Sequence, residues 1–118
     1  MRSYIRINEK MIIRYSNLES SVSQDRMSND GTSRNISVIG ICFHSQCELA
    51  VDESIVIELQ LPPHESPITP IARVIWCDPN EDGYDIGVEL TWFDWQADEQ
   101  LIFARHINDQ VEPSSLED

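Results

Sequence analysis

Basic residues, glycine and long apolar runs are all scarce in this sequence of 118 residues. Four glycines exclude a collagen-like or glycine-rich chain, and 41% hydrophobic with 25% charged residues is the composition of a globular protein. At this length roughly 65% of the unfolded surface is buried on folding, enough for one hydrophobic core. No stretch approaches the roughly 18 apolar residues of a spanning helix. The opening residues set Arg2, Arg6, Glu9, Lys10 and Arg14 among the apolar positions, so no signal-peptide core follows them. A cytoplasmic protein without membrane insertion is expected.

The three cysteines, Cys42, Cys47 and Cys77, are odd in number and form no C-x2-C pair. That argues against a zinc site or a disulfide framework and for reduced thiols partly in the core. Phosphate-cradling loops of the G-x-G-x-x-G or G-x-x-x-x-G-K-[ST] kind are absent, as are H-E-x-x-H and G-x-S-x-G. His44, His64 and His106 fall in different elements, and paired carboxylates arise only because acids are abundant. No enzyme, cofactor or metal is expected.

Net charge is -13, from 21 acids against 8 basic residues. Such a chain repels DNA, RNA and anionic membrane unless its positive charge is gathered in one place. Residues 1–34 hold six of the basic groups and four acids, a balance of +2, while the rest sets 17 acids against Arg73 and Arg105, a balance of -15. A local anion site on an anion-repelling body suits a small, highly charged ligand better than a polymer. Lys10 and Arg26 read as ordinary surface residues.

Apolar alternation predicts strands over 11–18, 33–37, 41–44, 54–61, 71–77 and 84–90. Met11, Ile13 and Tyr15 share one face of the first of these. Ile55, Ile57, Leu59 and Leu61 do so in the fourth, Ala72, Val74 and Trp76 in the fifth, and Tyr84, Ile86, Val88 and Leu90 in the last. Residues 17–32 read as a loop with Asp30-Gly31 as a turn, 48–53 as an acidic connection, and 78–83 as a turn. Prolines 62, 63, 67 and 70 enclose a stiff loop. A helix over 96–107 turns Ala97, Leu101 and Ala104 to the sheet, with Phe103 and Ile107 as further candidates; Asp94 is the candidate cap, without a capping box. Short strands followed by one helix point to an all-β fold, an antiparallel barrel, with a C-terminal helix. One domain over 1–109 is expected, followed by an acidic polar tail at 110–118.

Two local patterns carry chemistry. Arg2 and Arg6 form an R-x-x-x-R, two guanidinium forks for phosphate oxygens whose planes also stack on guanine. Asn35, Ser37 and Gly40 form an N-x-S-x-x-G. Asn35 offers amide groups to a base edge, Ser37 bonds a phosphate or braces a turn, and Gly40 leaves room for close backbone approach. Strand period places Asn35 and Ser37 on one face, opposite Ile36. Each pattern alone is common by chance, the first in roughly a third of chains this long, so their order and context decide.

In that order the sequence resembles the PilZ domain, a bacterial receptor family for cyclic di-GMP, over residues 2–107. Arg2 and Arg6, with Tyr4, Ile5 and Ile7, match its N-terminal switch segment (residues 1–9). Asn35, Ser37 and Gly40 match its [DN]-x-S-x-x-G element, and Trp76 with residues 86–90 matches its closing hairpin. The resemblance implies a six-stranded split barrel in which Arg2 and Arg6 clamp the dinucleotide. Asn35 then contacts guanine, Ser37 a phosphate or its own turn, and Gly40 permits the fit. It also implies a receptor that reports ligand to a protein partner, with a ligand-independent interaction module of motility or pilus machinery as the alternative. For the alternative, the acidic stretches at 48–53 and 78–85 with Trp92, Phe93 and Trp95 are the candidate surface.

Overall fold

A computed structural model describes residues 6–18, 29–61 and 66–110, without the side chain of Gln110. Among the described residues seven antiparallel strands run in chain order: β1 (Arg6–Ile7), β2 (Ile12–Asn17), β3 (Asn29–Ser37), β4 (Gly40–Ser45), β5 (Ser54–Glu58), β6 (Ile71–Asn80) and β7 (Gly83–Thr91). Six of them close into a ring in the order β3-β2-β5-β6-β7-β4 and back to β3. The two-residue β1 pairs with the far end of β3, through Arg6 with Ser37 and Ile7 with Ile36. Closure pairs every strand of the ring on both sides for part of its length, which limits the edge open to pairing with other chains. A single 3-10 turn (Asp94–Gln96) then leads into the helix α1 (Ala97–Gln110).

Alternation fills the ring. Ile13 and Tyr15 of β2, Ile55 and Ile57 of β5, and Ile86, Val88 and Leu90 of β7 all point into one core. Isoleucine dominates that core because β-branched side chains pack well on a pleated surface. Tyr15 packs its ring against Phe43, centroids 5.3 Å apart, and its hydroxyl meets the Ser45 hydroxyl at 2.5 Å. That contact satisfies the polar tip of the largest buried side chain. Burial raises the phenol pKa, although the Ser45 bond partly offsets it.

The strand expectations hold for β2 and β7 in extent and facing; β5 has the expected facing but ends at Glu58, with Leu59 in an isolated bridge to Ile68. Four others need correction. Asp30-Gly31 is no turn: both residues lie in β3, where Gly31 pairs with Ile13. A side chain at Gly31 would meet the Phe43 ring at 2.9 Å, so this glycine serves close packing and not a bend. The hairpin turn is not at 78–83 but narrower. β6 continues to Asn80, and Glu81 adopts φ 58° in the turn. Pro79 is tolerated because β5 pairs only with residues 71–73 of β6, leaving the outer side of this ribbon open among the described residues.

The third correction concerns the helix. Phe103 and Ile107, four positions apart, are buried, whereas Ala97 is exposed and Leu101 is 50% exposed. Trp92 is also a packing residue, its ring 5.8 Å from that of Phe103 and its indole N–H donating to the Val38 carbonyl at 3.1 Å. The cap sits at Phe93, not Asp94: the Gln96 side chain accepts from the Phe93 amide at 3.2 Å and donates to the Thr69 carbonyl at 3.0 Å. The fourth correction is Trp76, which points outward. The cysteines are free, Cys42 and Cys77 half-buried and Cys47 exposed. Arg2, Tyr4, Ile5, Arg26, His64 and the 111–118 tail lie outside the described residues.

Candidate functional site

Two β-bulges create an outward-facing row across four strands. In β3, Ser33 pairs with Phe43 but Asn35 pairs with Cys42, so Arg34 is an extra residue. In β6, Val74 pairs with Val88 but Trp76 pairs with Gly87, so Ile75 is extra. Strict alternation from Gly31 and Ser33, or from Ala72 and Val74, would turn Asn35 and Trp76 into the core. Each bulge adds one step and turns them out, the re-aiming that bulges perform beside functional sites. The registers then align Asn35, Cys42, Gly87 and Trp76 side by side. On one side lies the buried row Ile36, Ile41, Val88 and Val74.

Gly87 gives this row its shape. A Cβ there would stand 2.3 Å from the Trp76 indole, so the ring lies directly over the glycine backbone. Gly40 plays a different part. A Cβ at that position would stand 2.7 Å from the Val88 carbonyl oxygen, so Gly40 permits β4 to approach β7. Around the row opens a shallow cleft of about 210 Å³ lined by Arg6, Ile39, Gly40, Cys42, Ile75, Trp76, Gly87 and Glu89, among others. Ile39, Ile75 and Trp76 are each about two-fifths exposed there. The volume is below the roughly 300–1,000 Å³ of pockets that engulf a ligand. Such a cleft holds one face of a planar molecule and leaves the other face to another segment.

Arg6 overhangs this cleft. Its Nη1 donates to Asn35 Oδ1 at 2.6 Å, joining the two sequence motifs across 29 residues. The segment after β1 is fastened by Ser33, whose hydroxyl donates to the Glu9 carbonyl at 2.5 Å and accepts from the Met11 amide at 2.9 Å. Glu9 in turn meets His106 Nε2 of α1 at 2.7 Å. Ser37 is fully buried and its hydroxyl donates to the Gly40 carbonyl at 3.3 Å, so of its two expected roles the turn brace is the one made here. Arg6 and Gly40 therefore line the cleft, Asn35 is tied to it through Arg6, Ser37 braces the turn at Gly40, and Arg2 lies outside the described residues. Cys42 is half-buried in the cleft floor, and burial pushes its thiol pKa up, the Asp85 charge adding to the effect.

Trp76, Cys42, Gly87 and Ile75 went unread as site residues. The signal was present: 74–77 reads Val-Ile-Trp-Cys, four apolar residues in a row where alternation breaks, which is the mark of a bulge or a doubly buried strand.

Beside the row lies a polar cluster. Asp85 Oδ1 accepts from Arg34 Nε at 2.8 Å and meets His44 Nδ1 at 3.0 Å, while its Oδ2 accepts from Asn80 at 2.7 Å. Desolvation alone would raise the Asp85 pKa. The hydrogen bonds from His44, Asn80 and Arg34, with the Arg34 charge, outweigh it and hold the carboxyl below its ordinary 3.8. A depressed folded value means that the stabilisation is complete above the unfolded pKa and is lost as pH falls through the folded one. The melting temperature of the native chain should therefore exceed that of Asp85→Asn by a margin constant above about pH 5 that shrinks below pH 4. A margin unchanged down to pH 2 would remove Asp85 from the acid response.

Among the described residues no group of three or more His, Cys, Asp or Glu is placed to hold a metal ion. None of their helices is long and apolar enough to cross a membrane.

The family model of the PilZ domain matches residues 2–107. Among solved structures the chain is similar to the inhibitor of motility of Bacillus subtilis, with a TM-score of 0.70 and 19% identity over 93% of this chain and 51% of that one. It is also similar to the PilZ domain of CeSA from a cellulose-synthesizing bacterium (TM-score 0.60, 18% identity, 82% of this chain and 90% of that one). A tetrameric PilZ-domain protein of Xanthomonas campestris follows, with a TM-score of 0.55 and 16% identity over 77% and 49% of the two chains. The chain thus spans about half the length of the first and third of these proteins. No curated protein matches it by sequence.

Proposed function

The chain belongs to the PilZ domain family, and from that premise we propose that it is a receptor for cyclic di-GMP that passes the signal to a protein partner. The observation that carries the reading is the Arg6–Asn35 hydrogen bond at 2.6 Å over an open cleft. It brings the R-x-x-x-R and N-x-S-x-x-G motifs into one place with the polarity a guanine and a phosphate require. Arg6 supplies a fork for phosphate oxygens. The exposed Trp76 face gives a base a surface to stack on, a contact worth about 1–3 kcal/mol per base. Asn35 presents an amide to the base edge, while Gly40 and Ser37 hold the β3–β4 turn that frames the cleft. Arg2, the other member of the R-x-x-x-R, is proposed as a second guanidinium for the ligand.

In this reading the protein is a regulator and not an enzyme, works in the cytoplasm, and has no affinity for DNA or RNA. Its acidic body, -15 over residues 35–118, keeps polyanions away while the local arginines collect a small one. Calorimetric titration with cyclic di-GMP, with cyclic di-AMP and GTP as controls, tests it. Saturable heat with the first alone, weaker at higher salt, is the expected result; no heat at high protein concentration would overturn it.

One observation favours a second reading, a ligand-independent interaction module. Phe93 and Trp95 are 41% and 72% exposed, and their rings lie parallel, 6.1 Å apart. A protein that binds no dinucleotide yet loses a defined partner on Trp95→Ala would follow this second reading.

A further inference from the structure

The cleft alone is short of positive charge. Of its lining residues Arg6 is the cation and Glu89 is already paired with Arg73 at 3.0 Å, so the cleft sets one guanidinium against the two phosphodiester charges of a cyclic dinucleotide. More cationic charge has to come from nearby. Directly beside the outward row, a second concavity of about 330 Å³ is lined by Lys10, Thr32, Ser33, Arg34, His44 and Glu81. It gathers Lys10 and Arg34 against one lining carboxylate, the exposed Glu81, together with a histidine and a threonine hydroxyl.

We infer that this hollow is a second phosphate subsite of the same ligand-binding face, with Arg34 as its principal group and Lys10 as its support. Arg34 is the bulge residue, immediately before Asn35, so it stands between the hollow and the cleft. Asn35, the next residue, holds the Arg6 guanidinium at 2.6 Å, so one bulge joins the hollow to the arginine that overhangs the cleft.

Arg34 is also held in a way that lets it go. Its Nε bonds Asp85 at 2.8 Å, but its Nη2 lies 3.7 Å from Glu81, whose side chain is 72% exposed. When Arg34 turns to a phosphate, Asp85 keeps His44 on one oxygen and Asn80 on the other. No carboxylate is orphaned, so the exchange of partners costs little. The polar cluster thus parks an arginine beside the cleft, charged and aimed, until an anion competes for it.

This inference rests on the cyclic di-GMP reading, and its test separates the two. Affinities for cyclic di-GMP are measured for the native chain and for Arg34→Ala, Arg34→Lys, Lys10→Ala and Asp85→Asn. Loss of one charge-assisted contact to phosphate weakens binding by about 10- to 100-fold, the effect expected of Arg34→Ala. Arg34→Lys falls between, because the charge stays while the fork is lost, and Lys10→Ala loses about 3- to 10-fold. Asp85→Asn releases Arg34 and is expected to bind at least as tightly as the native chain. If Arg34 served only to tie β3 to β7, Asp85→Asn would lose affinity as Arg34→Ala does, and that outcome overturns the inference. Native binding with Arg34→Ala unchanged overturns it as well and leaves the receptor reading intact. A native chain that binds nothing overturns both.

Discussion

Replacing Arg6 by alanine is expected to weaken cyclic di-GMP binding by at least about 100-fold while shifting the melting temperature hardly at all. The two effects separate because of where Arg6 sits. Its side-chain hydrogen bond to Asn35 is exposed to solvent, and an exposed polar contact of this kind contributes about 0.5 kcal/mol or less to folding. The same guanidinium facing a phosphate makes paired, charge-assisted bonds of about 1.5–3 kcal/mol each. Two such bonds lost together amount to a factor of about 100 or more. Titration calorimetry gives the affinity and circular dichroism the melting curve. An affinity within threefold of native would remove Arg6 from the ligand site. A large drop in melting temperature would make it a structural residue of β1.

Phe103→Ala is expected to have the opposite profile, lowering stability by about 3–5 kcal/mol. Phe103 is fully buried, and its ring meets Trp92, whose indole is tied to the β3–β4 turn through Val38. Truncation therefore opens a cavity at the place where the helix is fastened to the barrel. Against a total stability of about 5–15 kcal/mol, the loss should lower the melting temperature by about 10–20 °C. Leu101→Ala is the control. At 50% exposure that side chain has little transfer energy to lose, and its effect should stay below about 1 kcal/mol. Equal effects at the two positions would mean that α1 packs through a different face.

Those two helix residues illustrate how far the sequence could be read. The sequence pattern favours Ala97, Leu101 and Ala104 as the core face and offers Phe103 and Ile107 only as further candidates, whereas the structure buries Phe103 and Ile107. Periodicity finds an apolar stripe, but the choice between overlapping stripes depends on what the helix meets, here Trp92 and the barrel core. In β5 and β7 strict alternation holds from end to end, so Ile55, Ile57, Ile86, Val88 and Leu90 were placed correctly.

In β3 and β6 the alternation slips by one at Arg34 and Ile75. The apolar run 74–77 marks a break in alternation but fits a bulge and a doubly buried strand equally, so the facing of Trp76 does not follow from it. Asn35 was read as a ligand group because of the motif it belongs to and not because its facing could be derived. The Gly31 error has the same root. Asp-Gly is a strong turn signal, but glycine also serves where a neighbouring ring comes too close for a side chain, and only the pairing of β3 with β2 and β4 decides between them. Arg6 and Asn35, 29 residues apart, became a site only when β1 was laid against β3.

The account's central claim is that the row Asn35, Cys42, Gly87 and Trp76, roofed by Arg6, is the ligand face. An amide-resolved NMR titration with cyclic di-GMP tests it most directly. The Trp76 indole N–H and the amides of Asn35, Cys42 and Gly87 should shift together and saturate together, while amides of β2 and β5, the two ring strands outside the row, stay in place. Saturable shifts confined to Phe93 and Trp95, or spectra that do not change at all, would contradict it.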